Sequence, residues 1–159
     1  MSNIQLIREH VLIAANDTGY IPAMIKVGAT PDEIAEISRH KRQAQGVTDE
    51  DESLAEMSIR DHLKVVKGIT VVKSLSSKFC GIYDRLYHCS KLLIYDQYEL
   101  TYYGDGVPAL IHAYDHLVAK EKAHYGWGAK GFFSVHKDTF TTEGINQLKK
   151  EIIMLLHSI

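Results

Sequence analysis

Two histidines four residues apart stand in the segment ALIHAYDHLVAK, which covers residues 109–120. Histidines at i and i+4 lie on the same side of a helix and can bind one metal ion, and a nearby carboxylate can then activate water. One hypothesis is therefore a metal-dependent hydrolase with His112, Asp115 and His116 as its catalytic residues. Its metal ligands would be His112 and His116, with His124 brought in by folding.

The helical position of these histidines favours a simpler interpretation. At about 100° per residue, both imidazoles lie almost opposite the apolar side of the same helix, and Asp115 lies on its flank. The apolar side is formed by Val107, Leu110, Ile111, Tyr114, Leu117 and Val118. The pattern is typical of a solvated helix face, so we expect no catalytic residues there, no bound metal and no cofactor.

Residues 124–136 form a second candidate site, rich in glycine and aromatic residues. The letters GWGAKG at 126–131 match the dinucleotide-binding pattern, but that pattern needs a strand before it and a helix after it, and here the order is inverted. Glycine-rich backbone beside a lysine can still hold an anion, and an indole can stack on a planar ligand. This alternative predicts a small anionic or nucleotide-like ligand, bound by Tyr125, Trp127, Lys130, Phe132 and His136.

The charge pattern disfavours DNA as a partner. The basic run RHKR at 39–42 follows TPDEIAEIS, which is similar to the opening of a helix-turn-helix. The residues after it are acidic, QAQGVTDEDE, and the net charge of the chain is −2. Binding to a phosphate backbone needs a basic surface, so we interpret RHKR as a solvated helix end.

The composition indicates a soluble cytoplasmic protein without a membrane partner. The 159 residues are 45% hydrophobic and 24% charged, which is typical of globular domains. The N-terminal residues do not have the pattern of a secretory signal, and no apolar run approaches the length of about 18–20 residues that spans a bilayer. Cys80 and Cys89 lack the spacing of a zinc knuckle and suggest reduced thiols.

Local signals predict a mainly α fold of about six helices, with a minor extended or hairpin element near 130–136. Ser2, Thr30 and Thr48 have the form of N-caps, and the first helix should stop near 16–19. Residues 107–123 and 143–157 are predicted helices, whereas 92–103 fits either a long helix or a hairpin at 96–97. We expect one domain over 1–159, with 1–78 helical and poor in aromatics and 79–159 forming an aromatic-rich core and a C-terminal helix.

The uneven distribution of aromatic residues motivates the first functional hypothesis. Thirteen of the fourteen aromatic residues lie between Phe79 and Phe140, where they form either the main core or an interface. With no firm catalytic spacing, the sequence favours a small non-catalytic binding or regulatory protein that contacts another macromolecule. A protein partner is expected, a homodimer is possible, and enzyme activity is left undecided.

Overall fold

A computed structural model of the chain describes residues 2–128 and 130–159. These residues form seven helices and six strands. The helices are α1 (Asn3–Lys26), α2 (Pro31–Ala44), α3 (Asp49–His62), α4 (Cys80–Arg85), α5 (Val107–Ala113), α6 (Asp115–Ala119) and α7 (Thr142–His157). The strands are β1 (Leu63–Val66), β2 (Ile69–Lys73), β3 (Lys91–Tyr95), β4 (Leu100–Gly104), β5 (Ala123–Gly126) and β6 (Phe132–Val135).

The strands form one mixed sheet, so the prediction of a mainly α fold is wrong. Their order is β1-β2-β3-β4-β6-β5, with β2 and β3 parallel and every other neighbouring pair antiparallel. The extended element predicted near 130–136 is β6, which pairs with both β4 and β5 inside the sheet. The protein is an α/β fold, and its first 78 residues are not wholly helical because they include β1 and β2.

A two-residue turn connects the first hairpin of the sheet. Helix α3, which follows the N-cap Thr48, ends at His62, and the chain continues as β1. Lys67 and Gly68 both have positive φ, +52° and +79°, and they connect paired residues Val66 and Ile69. Positive φ at both turn positions suits the right-handed twist of a hairpin.

Residues 92–103 form the hairpin of β3 and β4, and the long-helix alternative is wrong. The Asp96 carboxylate accepts hydrogen bonds from the backbone amides of Tyr98 and Glu99, at 2.7 and 2.9 Å. This side-chain contact closes the turn and sets the register in which Tyr95 pairs with Leu100. The parallel partner β2 then satisfies the other edge of β3.

Most of the helix predictions are confirmed. Ser2, Thr30 and Thr48 each accept a hydrogen bond from the backbone amide three residues later. The predicted helix 143–157 is α7, whereas the predicted helix 107–123 breaks at Tyr114, whose backbone angles of −117° and 33° are not helical. Residues 107–123 thus form α5, α6 and the start of β5.

The sheet separates two apolar cores, and α1 with α2 builds a third. Helices α5, α6 and α7 cover one face, where Leu93, Tyr102 and Phe133 are fully buried. Helices α3 and α4 cover the other face beside β2 and β3. The third core lies between α1 and α2, next to α4, and consists of Ala15, Ile21, Met24 and Ile34. Within residues 2–128 and 130–159, no helix combines the length and the apolar character needed to cross a membrane.

Candidate functional site

The histidine pair of the hydrolase hypothesis lies on the protein surface. His112 is near the end of α5 and His116 is in α6, and both are exposed. The Nδ1 atom of His116 is 3.9 Å from Oδ1 of Asp115, and both side chains are more than half exposed. The helix break at Tyr114 separates the two histidines, so the regular i, i+4 helical geometry assumed in the hypothesis is not present.

His124, the third proposed metal ligand, contacts a different histidine. It lies in β5, where its ring stacks on that of His136 with centroids 4.6 Å apart, and Nδ1 of His124 is 3.2 Å from Nε2 of His136. Partial burial and the neighbouring imidazole lower the pKa of His124. Among the described residues, no group of three or more His, Cys, Asp or Glu side chains is placed to share a metal ion.

The residues proposed to bind a ligand in 124–136 divide between separate places. Tyr125 and Trp127 are exposed and pack edge to face, with ring centroids 6.3 Å apart. Phe132 and His136 both contact His124 instead. The segment GWGAKG joins two antiparallel strands, so no helix N-terminus follows it, and Ala129 within it lies outside the described residues. The segment therefore lacks the geometry of a dinucleotide site.

Lys130, the proposed anion-binding residue of that segment, points toward α4. Its ammonium group donates hydrogen bonds to the backbone carbonyls of Tyr87 and Cys89, and partial burial lowers its pKa. The same ammonium lies 6.0 Å from the ring centroid of Tyr83. Lys130 thus connects the β5–β6 segment to the region between α1, α2 and α4.

Aromatic rings form a continuous row across one face of the sheet. Tyr83 of α4 stacks on Tyr103 of β4, with centroids 4.3 Å apart. Phe132 of β6 lies 6.5 Å from Tyr103 and 5.7 Å from His124. Because β5 and β6 leave this face half-exposed, the row extends from the core under α4 to the solvent.

An ion-pair cluster around the buried guanidinium of Arg42 holds α2, α3 and α4 together. The Arg42 side chain donates to both oxygens of Glu52, at 2.8 and 3.0 Å, and to Asp84 at 2.7 Å. Arg85 donates to Glu52 as well, at 2.9 Å. Burial raises the pKa of Asp84 despite these contacts; it opposes ionisation of Glu52 too, but the hydrogen bonds from the two arginines lower the pKa of Glu52 overall.

A cavity of about 190 Å³ lies beside this cluster, between the kink of α1, helix α2 and helix α4. Three tyrosines belong to its walls, Tyr20, Tyr83 and Tyr87. The kink comes from Tyr20, which has a φ of +58° and a ψ of −147° inside the span of α1. We call this space the kink cavity.

Sequence reasoning missed the cavity residues of α2. The helix buries Ile34, Ser38 and Arg42, which follow one another at intervals of four residues. Such intervals lie on one side of a helix, so the two polar residues continue the apolar stripe that Ile34 begins. This spacing is the signal for a buried side of the helix, and the interpretation of RHKR as a solvated helix end is wrong for Arg42, because the residue is only 5% exposed.

Helix α1 carries a second unusual feature, an exposed apolar ridge. Ile4, Ile7 and Val11 lie on one side of the helix and are 80%, 63% and 47% exposed. We call these three residues the α1 ridge. Surface patches of large apolar side chains are typical of contact sites, and half of the sixteen large exposed hydrophobic residues of the described chain fall between Ile4 and Val27.

In comparisons with protein families, with curated protein sequences and with solved structures, no match to the chain is found.

Proposed function

We propose that this is a non-catalytic binding protein that acts through contact with another protein chain, and that the α1 ridge is its contact surface. The exposure of Ile4, Ile7 and Val11 is the observation that supports this proposal most directly. Leaving three β-branched aliphatic side chains in water forgoes the free energy of burial, about 1.5–3 kcal/mol for each. An interface that covers the α1 ridge recovers part of this free energy.

The spacing of the ridge suits a helix as the opposing surface. Residues 4, 7, 11 and 14 follow the alternating intervals of three and four that place side chains at the a and d positions of a coiled coil. Ile4 and Val11 would occupy a positions and Ile7 a d position, with Ala14 at the next d.

The charges around the ridge favour a protein surface over a lipid surface or a nucleic acid. The first 16 residues of α1, from 3 to 18, contain only Arg8, Glu9 and Asp17 as charged side chains besides the histidine at position 10. Arg8 is already paired with Glu33 of α2 at 2.7 Å. Helices that bind anionic lipids, and surfaces that bind phosphates, need several free cations.

We take a second copy of this chain as the partner. A two-fold axis brings the same patch of both copies together, so the patch must complement itself. The α1 ridge meets this condition, because its residues are all apolar and carry no charge that would repel the same charge in the other copy. The proposed complex is thus a homodimer in which the two α1 helices pack along their ridges.

Sedimentation velocity over a range of protein concentrations tests the proposal. The wild-type chain is expected to change reversibly from the monomer mass to twice that mass as concentration rises. Ile7→Glu puts a charge in the centre of the proposed contact and is expected to give a monomer at every concentration. Met154→Glu is the matched control, since Met154 is 57% exposed on α7, away from the ridge.

Two outcomes would contradict this proposal. The first is a wild-type chain that stays monomeric at all concentrations, and the second is dissociation by Met154→Glu to the same extent as by Ile7→Glu. Circular dichroism of each variant checks that the fold is retained, and Val11→Glu provides a second ridge variant if Ile7→Glu fails to fold.

Neither alternative function has support of this kind. The hydrolase hypothesis depends on a shared site for His112, His116 and His124, but His124 lies against His136. The ligand site in 124–136 depends on Lys130 and Trp127 acting on one ligand, but the Lys130 ammonium is directed to carbonyls near the end of α4, where it lines the kink cavity instead.

A further inference from the structure

Ser38 presents an unusual buried hydroxyl at the kink cavity. The residue is 4% exposed and lines the cavity, and its Oγ is the buried side-chain polar atom that has no hydrogen-bond partner in the described residues. Ser58, a comparable buried serine on α3, donates to the carbonyl of Leu54 and accepts from the amide of Leu75. Buried hydroxyls are normally satisfied, and a ligand in the cavity that Ser38 lines can supply a hydrogen-bond partner.

The volume of the cavity limits what that partner can be. An apolar cavity of about 150 Å³ accommodates benzene, and one water molecule occupies about 30 Å³ in the liquid. At about 190 Å³, the kink cavity is larger than a single water needs and matches one six-membered ring with a small substituent. Sites for drug-sized ligands and cofactors begin at roughly 300 Å³, so a nucleotide does not fit.

The walls of the cavity favour a planar and largely apolar ligand. Tyr83 and Tyr87 of the α4 region and Tyr20 at the kink supply aromatic surface, and Ile21 and Pro22 add apolar contacts. Aromatic side chains prefer stacked or edge-to-face contacts with other rings. A flat ring therefore makes better use of these walls than a bulky saturated group.

The charges of the cavity favour an anion. Asp84 is the one acidic residue among the described residues that line the cavity, and it pairs with Arg42, which also lines it. Two lysines remain outside this ion pair. Among the described residues, Lys41 lies 4.7 Å from the ring centroid of Tyr20 and 4.0 Å from the Asp17 carboxylate, and Lys130 donates to two backbone carbonyls and has no carboxylate within ion-pair distance.

We propose that the kink cavity is a binding site for a small planar carboxylate, with one six-membered ring against the tyrosines. The carboxylate lies toward the ammonium groups of Lys41 and Lys130, and the Ser38 hydroxyl donates a hydrogen bond to the ligand. Asn16, Gln45 and Cys80 complete the lining without a role in charge recognition. The site is separate from the α1 ridge, so it does not depend on the proposed homodimer.

Titration with benzoate, followed by proton–nitrogen NMR of the labelled protein, tests this proposal. We expect saturable binding with a dissociation constant below about 1 mM, and shifts confined to amides around the kink of α1, α2 and α4. Benzamide lacks the charge and cyclohexanecarboxylate lacks the planar ring. Both are expected to bind at least about tenfold more weakly.

Two pairs of variants distinguish ligand contacts from structural roles. Ser38→Ala is expected to weaken benzoate binding about fivefold, as for the loss of one hydrogen bond, without lowering the stability of the free protein. Ser58→Ala is its control and is expected to lower stability, because its hydroxyl is already bonded. Lys41→Met is expected to weaken benzoate binding about tenfold, whereas Lys150→Met on the exposed side of α7 leaves it unchanged.

Three results would overturn the proposal. Benzoate shifts that do not saturate, or that map away from the kink cavity, would show that the ring does not bind there. Equal affinity of wild type and Ser38→Ala for benzoate, together with lower stability of Ser38→Ala, would make Ser38 a structural residue. Equal affinities for benzoate and benzamide would remove the role of the two lysines.

Discussion

Arg42 is the residue whose removal should disturb the protein most through electrostatics. Its guanidinium is buried and donates to Glu52 and Asp84, so Arg42→Met leaves two carboxylates without their main partner. Breaking a buried ion pair from one side destabilises a protein by about 3–5 kcal/mol. Urea unfolding at neutral pH is expected to show a loss in that range. Arg60→Met, which removes an exposed pair with Asp61, is the control and should leave the midpoint unchanged.

The loss of unfolding free energy caused by Arg42→Met should become smaller as the pH falls. Burial already raises the pKa of Asp84, and removal of the Arg42 hydrogen bonds is expected to raise the folded-state pKa of Asp84 further and that of Glu52 from its lowered value. A carboxyl group whose pKa is higher in the folded state than in the unfolded state lowers the free energy of unfolding at pH values above that pKa. This destabilisation disappears as the pH falls and the group is protonated. The loss measured at about pH 5 is therefore expected to be smaller than at neutral pH. Equal losses at both pH values would show that Arg42 acts through packing alone.

The burial of Arg42 also shows why single residues of the site were hard to predict. Its partners lie 10 and 42 residues away, and only the packing of α3 and α4 against α2 brings them together. A sequence pattern within one helix predicts which side is buried, but it does not tell whether a charge on that side will find a partner. Ser38 presents the same problem, since its cavity is enclosed by residues from α1, α4 and the β5–β6 segment.

At the scale of elements, the predictions that succeeded rest on contacts within a few residues. The caps at Thr30 and Thr48 are bonds across three residues, and α7 follows from its own apolar periodicity. The sheet depends on pairing between distant segments, such as β2 with β3 across about 20 residues. The β-branched run at 70–72 lies in β2 and is typical of a strand, but a run of three residues does not identify the partner strand.

Two substitutions of Tyr20 test whether α1 is bent at this residue or continues as a regular helix. Tyr20→Gly and Tyr20→Ala remove almost the same contacts, including the cation–π contact with Lys41. Only glycine adopts a φ of +58° with a ψ of −147° without strain. Tyr20→Gly is therefore expected to be more stable than Tyr20→Ala by about 1 kcal/mol in urea unfolding.

A position in a regular helix serves as the control for the kink. Ala35 is an exposed residue in the interior of α2, and Ala35→Gly is expected to lower the free energy of unfolding by about 1 kcal/mol. Alanine is thus preferred over glycine at position 35, whereas glycine is preferred over alanine at position 20. If Tyr20→Ala were instead more stable than Tyr20→Gly, residue 20 would have ordinary helical geometry. The kink cavity would then lose the bend that forms one of its walls.

At the scale of the whole molecule, the aromatic residues that follow Phe79 in the sequence serve two purposes. Some of them form the main core, and others lie on the surface. Tyr102 and Phe133 are fully buried at the centre of the sheet, as the core interpretation expects. Tyr98, Tyr125 and Trp127 are exposed. Composition alone did not separate the two groups, because the alternation of strand residues between faces depends on a register that the sequence did not reveal.

The separation of the cores leads to a prediction for hydrogen exchange. The third core, between α1 and α2, is small and peripheral, whereas Leu93 lies in the large core under α5–α7. Regions with few buried contacts open at lower free energy than the central elements. Amides of α1 and α2 are therefore expected to exchange faster than those of β3 and β4 in the wild-type protein.

Two buried substitutions of similar size test whether these cores open independently. Met24 and Leu93 are both fully buried, and truncation of either to alanine removes about 2–5 kcal/mol from its own core. If α1 and α2 open as a separate unit, Met24→Ala accelerates exchange there and leaves β3 and β4 unchanged, while Leu93→Ala accelerates β3 and β4. Equal acceleration of β3 by both variants would mean that the cores unfold together. Hydrogen exchange measured by mass spectrometry resolves these segments. Independent opening of α1 would mean that this helix, which carries both the α1 ridge and the kink, can move without unfolding the sheet.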